Sequence, residues 1–270
     1  MMDAMGMDFA SLDRYDRQMR FAPIGRDGQA RLCRGFVVIL GCGALGSGVA
    51  HNLARAGVGR LRIVDRDILD ITNLHRQVLY TEEDVRQRLP KAVATAKHLE
   101  EINSGVVVEP IVAEVNGANV LQLIEGADVV ADGMDNMAAR FVINDACVKL
   151  GIPYVYGGAV AAGGMTMTVL PGRGPCFRCL VEDLPPPGTV KTCADVGVIN
   201  PLTSMVSAIE SGEVMKILVG RGEPNTCLLR FDVWDLSFHR SRVRRRPDCP
   251  ACGLRRFDFL APEVQDDHRA

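Results

Sequence analysis

Short apolar runs alternate with helical segments through the first 158 residues, and this alternation limits the fold more than any other feature. The run FVVILG, residues 36–41, ends in glycine and lacks the polar alternation of a half-exposed strand. Such runs are typical of strands buried on both faces, and strands that alternate with helices form parallel, doubly wound sheets. The predicted strands are residues 36–41, 60–65, 106–112, 127–132 and 152–157, and the predicted helices are residues 44–57, 91–102 and 136–150.

The pattern changes after residue 158. Residues 161–170 are predicted as a strand or hairpin, and residues 200–220 as a long apolar helix. Residues 184–193, LPPPGTVKTC, contain three consecutive prolines and predict an exposed, irregular loop, because proline is excluded from a helix interior. Residues 227–244 are predicted as two further strands, in antiparallel arrangement.

A glycine-rich segment, GCGALG, lies between the first predicted strand and its helix. Gly41, Gly43 and Gly46 let the backbone turn tightly and let a phosphate approach the amides at the helix N-terminus. Asp65 ends the second predicted strand, 19 residues after Gly46, where a carboxylate can hold a ribose hydroxyl. The segment therefore predicts nucleotide binding, but it does not choose between NAD and ATP.

These patterns together predict a single α/β domain over residues 1–270. Its core is a Rossmann-like doubly wound sheet, mostly parallel with antiparallel C-terminal strands. An N-terminal helical segment, residues 13–32, precedes a nucleotide-binding half at residues 36–158. An elaborated C-terminal half follows at residues 159–270.

Composition excludes several classes of protein. A net charge of -2 gives no support to non-specific binding of nucleic acid. The N-terminus is acidic and lacks the apolar core of a signal peptide, and no apolar run approaches the roughly 18 residues that cross a membrane. Nine cysteines, an odd number, argue against an extracellular disulfide framework. We expect a cytoplasmic protein with reduced thiols that binds neither nucleic acid nor membranes.

Residues suited to a triphosphate follow the glycine segment along the predicted sheet edge. An adenylating enzyme must neutralise a triphosphate and release pyrophosphate, whereas hydride transfer needs no additional cations there. Arg76 offers a planar fork, and Lys91 offers a mobile point charge. Asp135 follows the fourth predicted strand and is suited to magnesium. Amide donors come from Asn73 and Gln77.

Four segments, GCGALG, VDRDILDITNLHRQ, LPKAVATA and DGMDNMAAR, give the chain a resemblance to the ThiF/MoeB family. This family is related to the ubiquitin-activating enzymes. The resemblance implies ATP- and magnesium-dependent adenylation of the C-terminal glycine of a small ubiquitin-like sulfur-carrier protein ending in Gly-Gly. Sulfur transfer of this kind serves molybdopterin, thiamin or related biosynthesis. A separate sulfur-donor protein is also implied, since the chain ends soon after Cys252.

The resemblance also implies roles for individual residues. Asp65 would hold the ribose, and Asp135 would work with magnesium close to the reacting carboxylate. Arg17, in the segment DRYDRQ, resembles an arginine that reaches the phosphates of the neighbouring protomer, which implies a homodimer with shared active sites. The family often has glycine where this chain has Arg88, three residues before the lysine. The residues implied to contact the phosphates are Asn73, Arg76 and Lys91.

Two CxxC pairs, CFRC and CPAC, have the spacing of zinc ligands. Each pair can offer two thiolates to one tetrahedral ion, so Cys176, Cys179, Cys249 and Cys252 complete a four-thiolate structural site. Such a site would tie the chain's end to its middle. The alternative is a redox pair, which two separate pairs make less suitable.

Cys193 follows the proline-rich loop in KTCADVGVINP. It resembles a family cysteine that in some members forms a covalent link with the carrier protein or with sulfur. A mobile loop can deliver a thiolate after adenylation. A cysteine without an essential role is the alternative.

Three other functions are weighed against adenylation of a carrier. An NAD-dependent oxidoreductase and a non-catalytic scaffold leave Arg76 and Asp135 without a role. Adenylation of a peptide or a tRNA by a family relative uses the same residues, and it therefore stays open.

Overall fold

A computed structural model describes residues 12–186 and 188–260 of the chain. One eight-stranded sheet runs through these residues in the order β3-β2-β1-β4-β5-β6-β7-β8. The first five strands are parallel, and β6, β7 and β8 are antiparallel to their neighbours. The strands are β1 (Phe36–Leu40), β2 (Arg60–Val64), β3 (Val107–Ile111), β4 (Val129–Asp132), β5 (Tyr154–Val160), β6 (Gly163–Val169), β7 (Leu228–Asp232) and β8 (Ser237–Ser241).

The helices cover both faces of the parallel part. They are α1 (Asp16–Met19), α2 (Gly25–Arg34), α3 (Ala44–Ala56), α4 (Glu82–Arg86), α5 (Lys91–Ile102), α6 (Val120–Ile124), α7 (Met137–Leu150), α8 (Phe177–Leu180), α9 (Cys193–Val196) and α10 (Asn200–Val219). Two short 3-10 turns lie at Asp13–Tyr15 and Ile71–Asn73.

The central strand β1 shows why the chain forms a doubly wound sheet. All five of its residues are buried, and they alternate between two hydrophobic clusters. Val38 and Leu40 pack with Phe141 of α7 on one face, whereas Val37 and Ile39 pack with α3, α5 and α10 on the other. Burial of both faces explains the continuous apolar run in the sequence. The predicted α/β class and the mixed sheet are confirmed.

The long helix α10 is bounded by its own sequence. It begins with Pro201 in the first turn and ends at Gly220, which has a left-handed φ of 67°. Proline suits the first turn, where the missing amide would have no partner, and glycine suits the left-handed end. The helix packs on α3 and on β5, behind the sheet edge where the carboxyl ends of β1 and β4 meet.

The N-terminal helical segment differs from the pattern expected from glycine and proline. Gly25 and Gly28 act as helix breakers in a propensity argument, yet both lie in α2. A Cβ on Gly28 would come within 3.0 Å of Val219 Cγ1, so the glycine permits close packing of α2 on α10. Packing outweighs the propensity of glycine here.

No helix in the described ranges combines the length and the hydropathy needed to cross a membrane.

Candidate nucleotide site and cysteine cluster

The glycine segment packs directly against the end of β4. Gly41 has a φ of 86°, and a Cβ on Gly46 would lie 1.9 Å from the Gly41 carbonyl oxygen. A Cβ on Gly133 would lie 2.1 Å from the same oxygen. Three glycines therefore bring two backbones into contact at the carboxyl edge of the sheet, where ligands bind in open α/β folds. Gly133 was not singled out in the sequence, although it follows the predicted strand directly.

Asp65 lies beside this segment and is fixed by backbone amides. Its Oδ2 accepts a hydrogen bond from the Cys42 amide at 2.6 Å, and its Oδ1 accepts one from the Asp67 amide at 2.7 Å. Desolvation raises the pKa of Asp65 above its ordinary value, and the two amide hydrogen bonds oppose this shift. Each oxygen retains a lone pair, so the carboxylate can still accept a hydroxyl proton.

The segment that follows β2 holds Asn73 and Arg76 in a short turn. The Asp70 amide donates to Asn73 Oδ1 at 3.2 Å, and the Asp70 side chain accepts from the Thr72 amide at 2.9 Å. Arg76 is half-buried, and its Nη1 donates to the Thr72 carbonyl at 2.8 Å. The turn therefore fixes both side chains before any ligand arrives.

Gln77 lies next to the glycine segment. The residue is buried, and its Oε1 has no hydrogen-bond partner among the described residues. Its Nε2 lies 3.8 Å from the position of a Cβ on Gly43. Buried polar atoms are nearly always paired, so this amide has hydrogen-bonding capacity to offer to a ligand or water at the glycine segment.

Lys91 starts α5 in a fixed position. It is only 7% exposed, and its Nζ lies 2.8 Å from Asp67 Oδ2. The Lys91 amide also donates to the Asp67 carbonyl at 2.9 Å. The sequence-based picture of a mobile point charge is therefore wrong for this structure, because burial and an ion pair hold the ammonium group. Asp67 was not singled out in the sequence.

Arg88 precedes Lys91 in an unusual backbone conformation. Its φ is 51°, in the left-handed region that favours glycine. The turn between α4 and α5 thus has the shape that glycine would provide, and arginine adopts it. At this position the chain differs from the family pattern in residue type, but its backbone keeps the conformation that glycine favours.

Asp135 is exposed in the loop after β4, and a buried network holds this loop. The Asp132 carboxylate accepts from the Met134 amide at 2.8 Å and from the Tyr154 hydroxyl at 2.7 Å. The Arg140 Nε donates to Asp132 at 3.0 Å, and its Nη2 donates to the Met134 carbonyl at 2.6 Å. Both charged residues are buried. Sequence reasoning missed this pair, and the signal available was the arginine that follows DGMDN.

Cys193 lies within electrostatic reach of two predicted site residues. Its Sγ donates to the Ala159 carbonyl at 3.1 Å. Desolvation raises the pKa of the Cys193 thiol, the Arg76 charge lowers it, and the Asp135 charge raises it. The structure therefore brings Cys193, Arg76 and Asp135 to one locality, and the thiol is protonated at neutral pH.

Arg17 is not part of this locality within one chain. It is exposed on α1, and its Nε lies 4.0 Å from Asp16. The nearby Tyr15 packs against Gly57, at the C-terminal end of α3. The glycine segment lies at the opposite end of this 13-residue helix, about 20 Å away at 1.5 Å per residue.

The four predicted zinc-ligand cysteines converge on one site. Their Sγ atoms all lie within 4.8 Å of one another. Cys176 and Cys249 are 3.6 Å apart, and Cys179 and Cys252 are 3.4 Å apart. A tetrahedral ion with bonds of about 2.3 Å separates its sulfurs by roughly 3.8 Å, so the cluster fits zinc.

The chain is similar in sequence to known proteins. A model of the ThiF family matches residues 15–251, and the chain belongs to this family. The chain is 43% identical over 256 residues to the sulfur carrier protein ThiS adenylyltransferase of Bacillus subtilis (strain 168), covering 93% of this chain and 75% of that protein. It is 42% identical over 248 residues to a sulfur carrier protein adenylyltransferase of Thermus thermophilus, covering 90% of this chain and 91% of that protein.

A solved structure of a nucleotide complex has a similar fold. The crystal structure of E. coli MccB with ATP superposes with a TM-score of 0.79 at 26% identity. The match covers 89% of this chain and 74% of that chain.

Proposed function

We propose that this protein adenylates the C-terminal glycine of a small ubiquitin-like sulfur-carrier protein, using ATP and releasing pyrophosphate. The observation that carries the proposal is the junction of the glycine segment with Gly133 at the end of β4, two residues before Asp135. Relatives above 40% identity are named for adenylation of sulfur carrier proteins, which supports the choice of substrate.

In the proposed reaction a carboxylate oxygen of the carrier attacks the α-phosphorus of ATP. The new O–P bond forms as the bond from that phosphorus to the α–β bridging oxygen breaks, and pyrophosphate carries the bonding electrons away. No general base is required, because the carboxylate is already ionised. Asp65 would hold the ribose, and the glycine segment of Gly41, Gly43 and Gly46 would take the phosphates with Asn73, Arg76 and Lys91.

Magnesium suits the donor set at Asp135. This carboxylate is exposed, and among the described residues it accepts a hydrogen bond from the side-chain amide of Asn136 at 3.3 Å. Hard carboxylate oxygens bind magnesium together with substrate phosphates. Bound there, the ion would neutralise charge on the phosphates.

We propose zinc as the resident of the four-cysteine cluster and a homodimer as the working assembly. Arg17 is remote from the glycine segment of its own chain, which supports its use by a second protomer. A separate protein would donate sulfur. Cys193 would form a covalent link with the carrier protein or with sulfur. The alternative is that Cys193 has no essential role.

The primary test is exchange of labelled pyrophosphate into ATP with magnesium and candidate carriers ending in Gly-Gly. Asp135→Ala and Arg76→Ala should each lower exchange at least about 100-fold, because charge stabilisation at the phosphates is lost. Asp27→Ala, an exposed carboxylate on α2, is the matched control and should retain activity. Normal exchange in the Asp135 or Arg76 variant would contradict the site.

Mixing two inactive variants tests the shared site. Arg17→Ala and Asp135→Ala proteins should regain part of the activity when mixed, since a mixed dimer contains one intact site. Mixed dimers that form but stay inactive would exclude sharing of Arg17.

A peptide substrate is the second candidate, because the fold is similar to that of the microcin C7 biosynthetic enzyme MccB, at 25% identity. Exchange with a peptide and with no carrier would favour it.

A further inference from the structure

A buried cluster lies directly beneath the glycine segment. Tyr80 and Thr95 are buried, and so is Cys42, the second residue of that segment. The Tyr80 hydroxyl lies 2.6 Å from the Cys42 carbonyl oxygen and 2.9 Å from Thr95 Oγ1. Thr95 Oγ1 lies 2.8 Å from Cys42 Sγ.

The three contacts close into a ring with one proton for each hydrogen bond. The Cys42 thiol donates to Thr95 Oγ1, the Thr95 hydroxyl donates to the Tyr80 oxygen, and the Tyr80 hydroxyl donates to the Cys42 carbonyl. Burial raises the pKa of the Cys42 thiol to about 12, so the proton that this arrangement needs is present.

The ring holds Cys42 from several sides. Its amide donates to Asp65, its carbonyl accepts from Tyr80, and its side chain contacts Thr95. Cys42 therefore has little freedom to change its backbone conformation, because Cys42, Tyr80 and Thr95 are buried and a broken hydrogen bond among them would leave an unpaired polar atom.

The ring also joins three separate pieces of the site. Cys42 belongs to the glycine segment, and Tyr80 follows the segment that carries Arg76. Thr95 lies one turn after Lys91 on α5, so the two residues share a helix face. A single hydroxyl thus links the glycine segment to both elements that carry the proposed phosphate contacts.

We propose that Tyr80 is a positioning residue that holds the glycine segment in the shape required by the ATP phosphates. The proposal rests on the nucleotide site of the proposed function. Tyr80 acts through Cys42 and does not touch the reacting atoms. The hydroxyl is the group that matters, because the aromatic ring also fills the core with Leu79 and Val49.

The test removes the hydroxyl and keeps the ring. Tyr80→Phe should raise the Kd for ATP, measured by calorimetry without carrier, about three- to tenfold, as expected for loss of one buried hydrogen bond. Amide hydrogen exchange in peptides covering residues 41–46 should accelerate in the ATP-free protein. Thr95→Val, which opens the ring at another corner, should change both quantities in the same direction.

Thr168→Val provides the control. Thr168 is buried on β6, and its hydroxyl donates to Glu213 Oε2 at 3.0 Å, away from the glycine segment. The Thr168→Val variant should lower the melting temperature about as much as Thr95→Val does, and it should leave the Kd for ATP unchanged. Equal weakening of ATP binding by Thr168→Val would reduce the effect to general stability and overturn the proposal.

A Tyr80→Phe variant with the wild-type Kd for ATP and wild-type amide hydrogen exchange in residues 41–46 would also overturn the proposal. Its failure is separable from failure of the proposed function. Wild-type protein that binds ATP but supports no pyrophosphate exchange would defeat the adenylation proposal, while the Kd and the hydrogen exchange would still support the role of Tyr80. Wild-type protein without ATP binding would overturn both.

Discussion

Glu210 is a carboxylic acid inside the protein without a hydrogen-bond partner among the described residues. It is fully buried on α10, and a Cβ on Gly157 would lie 2.4 Å from its Cδ. Burial raises its pKa well above 4.5, the Asp132 charge raises it further, and the Arg140 charge opposes both. Glu210 therefore retains its proton to a higher pH in the folded protein than in the unfolded chain.

Replacing Glu210 should change the pH dependence of stability. Above pH 4.5 the unfolded chain releases the Glu210 proton and the folded protein retains it, so stability falls as pH rises towards the folded pKa. The fall is at most about 1.4 kcal/mol per pH unit. Glu210→Gln cannot ionise, so its stability relative to wild type should increase between pH 5 and pH 8, measured by denaturant unfolding.

The exposed Glu125→Gln is the control for Glu210, and its stability difference from wild type should stay constant over this range. A constant difference for Glu210→Gln as well would show that Glu210 is ionised in the folded protein.

At the scale of elements, the turn between α4 and α5 contains stored strain at Arg88. A left-handed φ of 51° destabilises a residue with a Cβ by roughly 1–2 kcal/mol. Glycine avoids most of this steric strain, but it adds an entropic cost of about 0.5–1 kcal/mol on folding. Arg88→Gly should therefore raise the free energy of unfolding by up to about 1 kcal/mol. Chemical denaturation measures the change.

Gln87→Gly is the matched control, because Gln87 has an ordinary helical φ of -78°. It should lower stability, because glycine brings its entropic cost and removes the hydrogen bond from Gln87 Nε2 to Glu83 Oε1 without relieving any left-handed conformation. If Arg88→Gly and Gln87→Gly changed the free energy of unfolding in the same direction, the role of the backbone conformation at Arg88 would be contradicted.

Elements with a clear pattern were predictable, and elements defined by packing were not. The strands from β1 to β5 follow from apolar runs, and the antiparallel pair β7 and β8 was predicted as such. The continuation of the N-terminal helical segment through Gly25 and Gly28 in α2 was not, because the closeness of Gly28 to Val219 is invisible in the sequence. The short helices α4 and α6 have too few turns to show a period.

The site shows the same division. Residue types at the ends of strands predicted Asp65, Arg76 and Asp135, and the structure brings Arg76 and Asp135 near Cys193. The groups that fix them, Asp67 beside Lys91 and Arg140 beside Asp132, depend on distances across the fold. A sequence pattern contains no information on such pairings.

At the scale of the whole molecule, the cysteine cluster joins the chain end to the segment after β6. Removal of the proposed zinc should leave four buried or half-buried sulfurs without the ion that links them and free a closed loop of the chain. A strong chelator should lower the melting temperature by about 10 °C or more. Metal analysis of fresh protein should find one zinc per chain.

Cys252→Ser should reproduce the effect of the chelator, whereas Cys227→Ser, a half-buried cysteine outside the cluster, should not. Fresh protein without zinc would disprove the assignment.

The strand order also determines when the nucleotide site can form during synthesis. Strand β1 pairs with β4 on one side, and Val37 meets Val129, so that edge of β1 lacks its partner until the ribosome has released β4. Strands β5 and β6, by contrast, are joined by Ala161 and Ala162 alone and can pair soon after they emerge. Contacts of long sequence separation form slowly. The glycine segment must therefore wait for Gly133, and the nascent chain carries a fully apolar strand with one unpaired edge through this interval.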